Sequence, residues 1–549
     1  MRAACLGLAL AVVMPLQPLW SQSLGLSPER DLPRWLAAWS PLGARADLPR
    51  SLPGVGTSFP RLLLPEPKGG LFWLAGNPAA LGDGLGGSRS DFHAALAQQD
   101  GDYRRPLDAG ESRLLQVDGR SWTQVTPQLF MIGHVVFDRE RLEPGTESDF
   151  VEAHPTSAFV TTDSSVEALA RTRVRLEGAA GWRLGRWRTG ASLGYESRET
   201  HTIEAGLVRR GRQTTPGMVL GVLRELGPVT LGLHGRWRNR AETALLNEVA
   251  REGIVGELEG LGDVRPIPFQ QLYYKRREET VTALGAGASW RWAGAAWAIF
   301  GELSRLREHL WIQQANQPPK DRWDADAWSS GLRIVSSGAG WLSLAGELRY
   351  TSLTGEADLA RDTLGVFFTA DESLLTAELE ARLAPVNSGW TAVLVLAEER
   401  QARVRQDVRN GVFWDMEAWV PGVSVEIGRG LGSRGLLLLG GALGRYGPTS
   451  AIPTTSSRSV LFRRLVAPEL DLTSRNSMPR SGLAGLRYRV SGQTSLWWLG
   501  RLESLEPDEP IGPLPAFSPT GSRSSWSLVM GVTLLPADRN PVARASPSR

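Results

Sequence analysis

The histidines are the side chains of this chain best suited to chemistry, and their spacing fits no metal site. The six are His93, His134, His154, His201, His234 and His309. No two stand four residues apart, the spacing that places two imidazoles on one face of a helix. No nucleophile elbow, phosphate-binding loop or carboxylate dyad stands out either. The residues therefore predict no catalytic site, no metal and no cofactor, and a protein that is not an enzyme.

The charged side chains do show an arrangement, because they recur at every second position. In 374–383 charged and polar residues alternate with leucine and alanine, and comparable alternation appears in 171–177, 229–238 and 341–350. A β-strand places successive side chains on opposite faces, so each segment has one charged face and one apolar face. Many strands with charged residues on one face and Leu, Val and Trp on the opposite face are typical of a barrel with lipid outside and water inside.

The charged faces supply the candidate site residues. We expect the following side chains to line the lumen: Arg171, Arg173, Arg175, Glu177, His234, Arg236, Arg238, Arg291, Glu347, Arg349, Glu378, Glu380, Arg382, Arg487 and Arg489. Arginine outnumbers glutamate in this set, and a basic lumen would concentrate anions. The alternative is that arginines and glutamates pair across neighbouring strands, which would stiffen the barrel without selecting ions.

Turn signals give the strand count. Eight short ones lie at 126–127, 184–186, 227–228, 293–295, 337–340, 387–389, 430–433 and 491–493. Each stands between two alternating segments, as a tight hairpin requires. The eight turns join sixteen strands, and one further strand before them and one after them bring the count to eighteen. Sixteen strands is the alternative. The fold class predicted is all-β: a transmembrane antiparallel β-barrel with short periplasmic turns and long extracellular loops.

The chain divides into four segments. Residues 1–23, with Arg2 followed by an apolar stretch and small residues, predict a signal peptide. Residues 24–89 form an N-terminal periplasmic or hatch segment, 90–535 the barrel, and 536–549 a polar tail. Cys5 is the only cysteine, so the mature chain would hold no disulfide and no thiolate metal site. Residues 24–89 are too short for the plug of an energised nutrient receptor, a class that also needs more strands.

Composition indicates the surroundings. The 61 basic and 58 acidic residues leave a formal charge of +3, so no nucleic-acid partner is predicted. The chain has 21 tryptophans, which favour the boundary between lipid and water, and Trp187, Trp390 and Trp497 are expected there. The predicted location is the bacterial outer membrane. The expected partners are outer-membrane lipid and lipopolysaccharide, the barrel assembly machinery and small solutes in the lumen.

Two stretches resemble known families. Asn77, Pro78 and Ala79 lie in a segment similar to the Asn-Pro-Ala signature of the N-terminal hatch in the long-chain fatty-acid transporter family. Residues 77–81, 92–98 and 102–106, with a paired-strand region reaching Phe137, resemble a family of outer-membrane barrels known only as a domain of unknown function. That second resemblance implies a barrel in an envelope with two membranes, and it brings no activity with it.

Three functional hypotheses follow. The first is a passive or substrate-selective outer-membrane channel, whose selectivity arises from pore radius and fixed charge. The second is an anchor or binding barrel, whose long loops engage surface polysaccharide or an envelope partner. The third is a transporter of hydrophobic compounds that uses 24–89 as a hatch. Residues 245–258, within a long connection, read as a surface helix with the option of folding over the mouth.

Overall fold

The computed structural model describes residues 76–83, 88–103, 109–143, 159–163, 168–203, 208–247, 255–259, 263–266, 272–312, 321–337, 341–359, 365–385, 389–409, 411–454, 467–508 and 520–535. The predicted signal peptide, most of 24–89 and the tail 536–549 lie outside these residues. Among the helices in the described residues, none combines the length and apolar character needed to cross a membrane.

Strands make up nearly all of the described chain. In order they are β1 (Arg89–Gly101), β2 (Glu111–Gln124), β3 (Leu129–Glu143), β4 (Phe159–Asp163), β5 (Leu169–Leu184), β6 (Trp187–Thr202), β7 (Val208–Leu226), β8 (Val229–Asn247), β9 (Val255–Glu259), β10 (Asp263–Pro266), β11 (Leu272–Trp292), β12 (Ala295–Ile312), β13 (Asp321–Ser337), β14 (Leu342–Leu359), β15 (Val366–Leu383), β16 (Trp390–Asp407), β17 (Val412–Leu431), β18 (Gly435–Gly444), β19 (Gly447–Thr454), β20 (Ser477–Arg489), β21 (Thr494–Pro507) and β22 (Arg523–Leu534). A 3-10 helix (Pro78–Asp83) precedes them, and an α-helix (Ala467–Ser474) precedes β20.

The main sheet closes on itself. Phe92 of β1 lies opposite Gly119 of β2 on one side and Val532 of β22 on the other. Between those ends each strand pairs antiparallel with the next, and β18 and β19 together form one broken position in the wall. The result is a closed barrel of eighteen strands, which confirms the predicted fold class and the count of eighteen rather than sixteen.

The break between β18 and β19 has a local cause in β17. Pro421 accepts a hydrogen bond at its carbonyl oxygen from the Arg445 amide at 2.8 Å. In an antiparallel pair the N–H and C=O of one residue point to the same neighbouring strand. Proline has no N–H, so Pro421 cannot donate a hydrogen bond on the side where its carbonyl oxygen accepts one. β18 therefore ends at Gly444, and pairing resumes with Gly447 opposite Trp419.

The eight predicted short turns all connect consecutive barrel strands. Gly185, Gly227, Gly389 and Gly432 adopt positive φ in four of them. Ala293 and Gly294 have φ of 52° and 77°, the pair of left-handed residues that a two-residue type I′ hairpin requires. Exposed tryptophans border this end, and Arg224 and Arg429 stack over Trp187 and Trp390. Trp497 is the exception to the predicted boundary set, because it points inward and is fully buried.

The outer face is apolar and the inner face mostly polar. In β1 the buried and exposed residues alternate strictly, with Asp91 and His93 buried while Phe92 and Leu96 are exposed. One inner sector departs from this pattern. On β11 to β18, near the ends that lead to long connections, the inward side chains form an apolar cluster that includes Trp323, Phe368 and Trp414.

The long connections carry some structure of their own. β4, from the connection after β3, pairs with β9, from the connection after β8, and β10 extends this small sheet. The predicted helix at 245–258 is wrong in its described parts, because β8 runs on to Asn247 and 255–258 belongs to β9. In these parts the backbone N–H and C=O groups form hydrogen bonds between strands, although the apolar spacing alone indicates a helix.

Candidate functional site

A chain of ionisable groups crosses the inner wall of the first strands. His134 of β3 lies between two carboxylates, with Nε2 2.9 Å from Asp118 Oδ2 and Nδ1 3.0 Å from Glu177 Oε2. Arg120 Nε donates to Asp118 Oδ1 at 2.8 Å, and His93 Nδ1 lies 3.7 Å from the same carboxylate oxygen. Both ring nitrogens of His134 can donate at once only as an imidazolium, which two carboxylates stabilise.

The predicted arginines of β5 extend this chain. Arg175 contacts Glu177 at 3.1 Å and Glu196 at 4.0 Å. Arg173 lies 2.7 Å from Asp138, and Arg171 lies 3.0 Å from Glu140. Arg173 and Arg175 are almost completely buried on the inner face. Each arginine of this strand therefore has at least one carboxylate beside it.

A second inner cluster joins β8 to β11 and β12. His234 Nε2 lies 2.7 Å from Glu302 Oε2, across the intervening strand β11. Gly285 makes that reach possible, because a Cβ there would lie 2.2 Å from His234 Cε1. Arg238 and Arg240 both donate to Glu279, while Arg236 lies 3.8 Å from Glu302.

The remaining predicted residues are spread over the wall. Arg349 lies 3.1 Å from Glu347, and Arg382 lies 3.9 Å from Glu380, all on the inner alternation of β14 and β15. Glu378 stands opposite Glu347 in the strand register. Near the short-turn end, Arg291 and Arg489 are exposed and Arg487 is half-buried. The structure thus places the predicted residues of β5 in the cluster around His134 and those of β8 in the cluster around His234. The residues of β14 and β15 and Arg291, Arg487 and Arg489 lie outside both clusters.

The carboxylates of these clusters are not among the residues predicted from the sequence. Asp118, Asp138, Glu196, Glu279 and Glu302 are all buried on inner faces. Each has the parity of an inward residue on its own strand, so a stricter reading of the two-residue period would have found them. The contacts favour the paired alternative over a lumen of uncompensated arginines.

Asn77 ties the N-terminal segment to the barrel wall. Its Nδ2 donates to the carbonyl oxygens of Leu233 at 2.9 Å and Val222 at 3.3 Å. Its Oδ1 accepts from the Ala79 amide at 3.0 Å, an Asx turn that begins the 3-10 helix. One side chain therefore holds the local turn and both neighbouring strands β7 and β8.

Two glycines form the seat of this motif. Gly190 of β6 and Gly221 of β7 lie opposite one another in the register. A Cβ on Gly190 would lie 2.4 Å from the Ala79 amide nitrogen, and one on Gly221 would lie 2.0 Å from Asn77 Oδ1. Side chains are absent at both positions, so the motif packs directly on backbone. We call residues 76–83 the hatch segment.

A helix lies inside the barrel at the other end. The Tyr446 hydroxyl donates to the Thr473 carbonyl oxygen at 2.6 Å, and Tyr103 donates to that of Leu472 at 3.5 Å. Burial raises the pKa of the Tyr103 phenol, so its hydroxyl keeps the proton that it donates. Leu505 completes a small apolar cluster with Tyr103 and Leu472. The connection between β19 and β20 is thus anchored to the inner wall.

Within the described part of the chain, no group of three or more His, Cys, Asp or Glu side chains is arranged to hold a metal ion. No protein-family model matches the chain, and no curated protein matches it. Neither family resemblance in the sequence is therefore confirmed, whereas the outer-membrane barrel class is.

Solved structures do show a distant similarity. The ferric preacinetobactin receptor BauA from Acinetobacter baumannii is 8% identical, with 81% of this chain and 80% of that chain covered and a TM-score of 0.38. The siderophore receptor PirA from the same organism is 8% identical, with 82% and 80% covered and a TM-score of 0.38. The copper transporter OprC is 10% identical, with 82% and 80% covered and a TM-score of 0.35.

Similarity at those TM-scores carries no inference about what this chain binds. The architecture itself supports a broader conclusion. A closed antiparallel barrel with an apolar outer band, a polar inner face and tryptophans bordering the short turns is built for a lipid bilayer. The chain is a β-barrel of the bacterial outer membrane.

Proposed function

We propose that this protein is a substrate-selective outer-membrane channel whose lumen is controlled by its hatch segment. The observation that carries the proposal is the seating of Asn77 against β7 and β8 on the inner face. A peptide docked at that place narrows the passage beside β6, β7 and β8. At eighteen strands the interior is wide enough for an aqueous passage, so such a segment has a passage to control.

The inner charges support selectivity by the size and shape of the solute more than by its net charge. Arg173, Arg175 and Arg238 each lie beside carboxylates, so their fields largely cancel beyond a few ångströms. Paired charges still keep that part of the wall polar, so it favours polar solutes over apolar compounds. We therefore expect weak ion preference and a marked dependence on solute size.

Planar-bilayer conductance tests this proposal. In Gly221→Ala the new methyl group collides with Asn77 and should unseat the hatch segment, giving larger or more frequent conductance steps than the native protein. Gly235→Ala is the matched control, since its Cβ would meet only the Ala283 carbonyl oxygen at 4.0 Å. A Gly221→Ala barrel that is folded yet electrically silent would rule out a channel.

A second candidate function has its own observation. The inner cluster of β11 to β18 is apolar, with Trp323 and Phe368 at a ring-centroid distance of 5.8 Å, whereas a simple aqueous pore has a polar interior. Such a wall suits the passage of hydrophobic compounds, the third hypothesis from the sequence. Proteoliposomes should then take up a fluorescent long-chain fatty acid faster than a sugar of similar mass, and Leu353→Gln should slow only the fatty acid.

A further inference from the structure

The outer wall of β1 to β6 holds two cavities, one above the other. The lower, of about 580 Å³, is bordered by Phe92, Leu176, Leu193 and Tyr195. The upper, of about 520 Å³, lies toward the long connections and is bordered by Leu96, Leu115, Trp526 and several basic residues. These apolar side chains are exposed on the outer face. Arg120, His134 and Glu177 also border the lower cavity, but strand alternation directs their side chains to the inner face, away from these apolar residues.

Glycines form the floor of the lower cavity. Gly119, Gly133 and Gly178 present no side chain on the outer faces of three neighbouring strands, β2, β3 and β5. A Cβ on Gly133 would meet nothing within 4 Å, and one on Gly178 would meet only the Ile132 carbonyl oxygen at 3.8 Å. A Cβ on Gly119 would lie 3.0 Å from the Phe92 ring. The groove is therefore open toward the lipid at Gly133 and Gly178 and covered by Phe92 at Gly119.

Basic residues border the upper cavity. Arg113, Arg139, Arg141 and His201 are exposed there, and Arg210 and Arg212 continue the same outer face onto β7. We call these six side chains the basic rim. Four carboxylates share the face: Glu111 pairs with Arg113, Glu143 with Arg141, and Glu199 with Arg210 and Arg212, while Asp100 of β1 is exposed opposite Glu111. Arg139 has no ion pair within the described residues, so the basic rim keeps excess positive charge.

The opposite wall has the reverse charge. At corresponding positions near the long connections, the outward residues of β13 to β17 are mainly acidic: Asp324, Asp326, Glu356, Asp358, Asp371, Asp415 and Glu417. Arg305 and Arg307 lie beside Asp326 and Asp324 there. On this wall the acidic side chains thus outnumber the basic ones, whereas the basic rim has more arginines than acidic neighbours.

Strand β3 shows how the two cavities combine. Gly133, Val135, Phe137, Arg139 and Arg141 follow one another up the outer face. Six residues rise about 20 Å along a strand, and a tilt of about 40° leaves about 15 Å along the membrane normal, half of a hydrocarbon core of about 30 Å. The glycine floor therefore lies near the middle of the bilayer when the arginines lie at its surface.

We propose that this outer wall binds one phosphorylated lipid of the outer leaflet, with acyl chains in the glycine-floored groove and a phosphate at Arg139 and Arg141. Arginine binds phosphate through parallel charge-assisted hydrogen bonds, and the groove accepts chains that a flat wall would not hold. The site requires that the short turns face the periplasm. It is independent of the channel function, since the side chains proposed to contact the lipid, Arg139 and Arg141 and the apolar residues of the groove, lie on the outer face.

Native mass spectrometry of the detergent-extracted barrel tests the site, with diphosphorylated lipid A and dephosphorylated lipid A as probes. Arg139→Gln with Arg141→Gln should weaken retention of the phosphorylated probe about tenfold, the effect of losing roughly one charge-assisted contact, and leave the other probe unchanged. Gly133→Val places a side chain in the groove, where its Cβ would meet nothing within 4 Å, and should weaken retention of both probes. Arg305→Gln with Arg307→Gln, on the acidic wall, is the matched control.

Heat-modifiable migration on a gel establishes that each variant is folded. Equal retention of lipid A by the native barrel and the Arg139–Arg141 double variant would overturn the proposal. It would equally fail if inorganic phosphate alone competed as well as the lipid, because the rim would then be an ion site with no lipid in the groove. Loss of retention in the acidic-wall control would also contradict it.

Discussion

The Asn77 side chain lies 2.9 Å from the carbonyl oxygen of Leu233, a residue 156 positions further along the chain. This hydrogen bond joins the N-terminal segment to the inner wall at the junction of β7 and β8. It depends on Gly221, whose missing side chain leaves room for the amide. The hatch segment is therefore defined by contacts between distant parts of the sequence.

Replacing Asn77 by alanine should release the hatch segment without unfolding the barrel. The change removes two hydrogen bonds to the wall and one that closes the Asx turn, at a cost of about 1–3 kcal/mol to docking. Hydrogen exchange should rise in 76–83 and stay unchanged in β7 and β8. Asn239→Ala, which removes a bond to Thr280 elsewhere in the wall, serves as control. Unchanged protection of 76–83 would contradict the docking.

Gly285→Ala should destabilise the barrel by separating His234 from Glu302. The added methyl would lie 2.2 Å from the imidazole, so the ring must move and leave the Glu302 carboxylate poorly paired. We expect a loss of about 2–4 kcal/mol in unfolding free energy, measured by urea titration with gel mobility. Gly301→Ala should cost less than 1 kcal/mol, because its Cβ would meet only the Ser329 carbonyl oxygen at 3.7 Å. Equal losses would show that the histidine is not held as described.

Replacing Arg171, Arg173 and Arg175 together by glutamine should lower stability and leave ion preference almost unchanged. Each arginine has a carboxylate within 3.1 Å, so the variant leaves Glu140, Asp138 and Glu177 without those cations. Reversal potentials at 0.1 M and 1 M salt, where the screening lengths are about 10 Å and about 3 Å, provide the measurement. A large shift away from anion preference at low salt would instead support the uncompensated basic lumen.

Neighbouring residues of β15 should respond oppositely to arginine. Leu379 has the outward parity, and Leu379→Arg should cost roughly 2–4 kcal/mol near the bilayer midplane. Glu378→Arg should cost much less, because it points inward and gains Glu347 as its cross-strand neighbour. Folding yield by heat-modifiable migration compares the two. Similar damage from both changes would contradict the register.

Epitope insertion tests the orientation of the barrel. A tag inserted after Gly492, in the short turn between β20 and β21, should stay hidden from antibody in intact cells because that turn faces the periplasm. A tag placed within 455–466, in the long connection after β19, should be labelled. The reverse pattern would invert the orientation and remove the outer-leaflet lipid site with it.

The sequence by itself determined the strands. The two-residue period of Arg171, Arg173 and Arg175 and the glycines in the short turns are local properties, and backbone geometry converts them directly into strands and hairpins. The same period assigned these residues to the charged face. Eighteen strands followed because each turn signal necessarily separates two strands.

Only the tertiary structure decided which residues meet. His234 reaches Glu302 because the register places Gly285 between them, and Asn77 finds its seat because Gly190 and Gly221 lie opposite one another. Register and closure are cooperative properties of the whole sheet, so a pattern along one strand carries no information about its partners. The apolar inner cluster around Trp323 could not be predicted for the same reason. The two-residue period assigns residues to one face or the other, but it does not indicate which residues each face contacts.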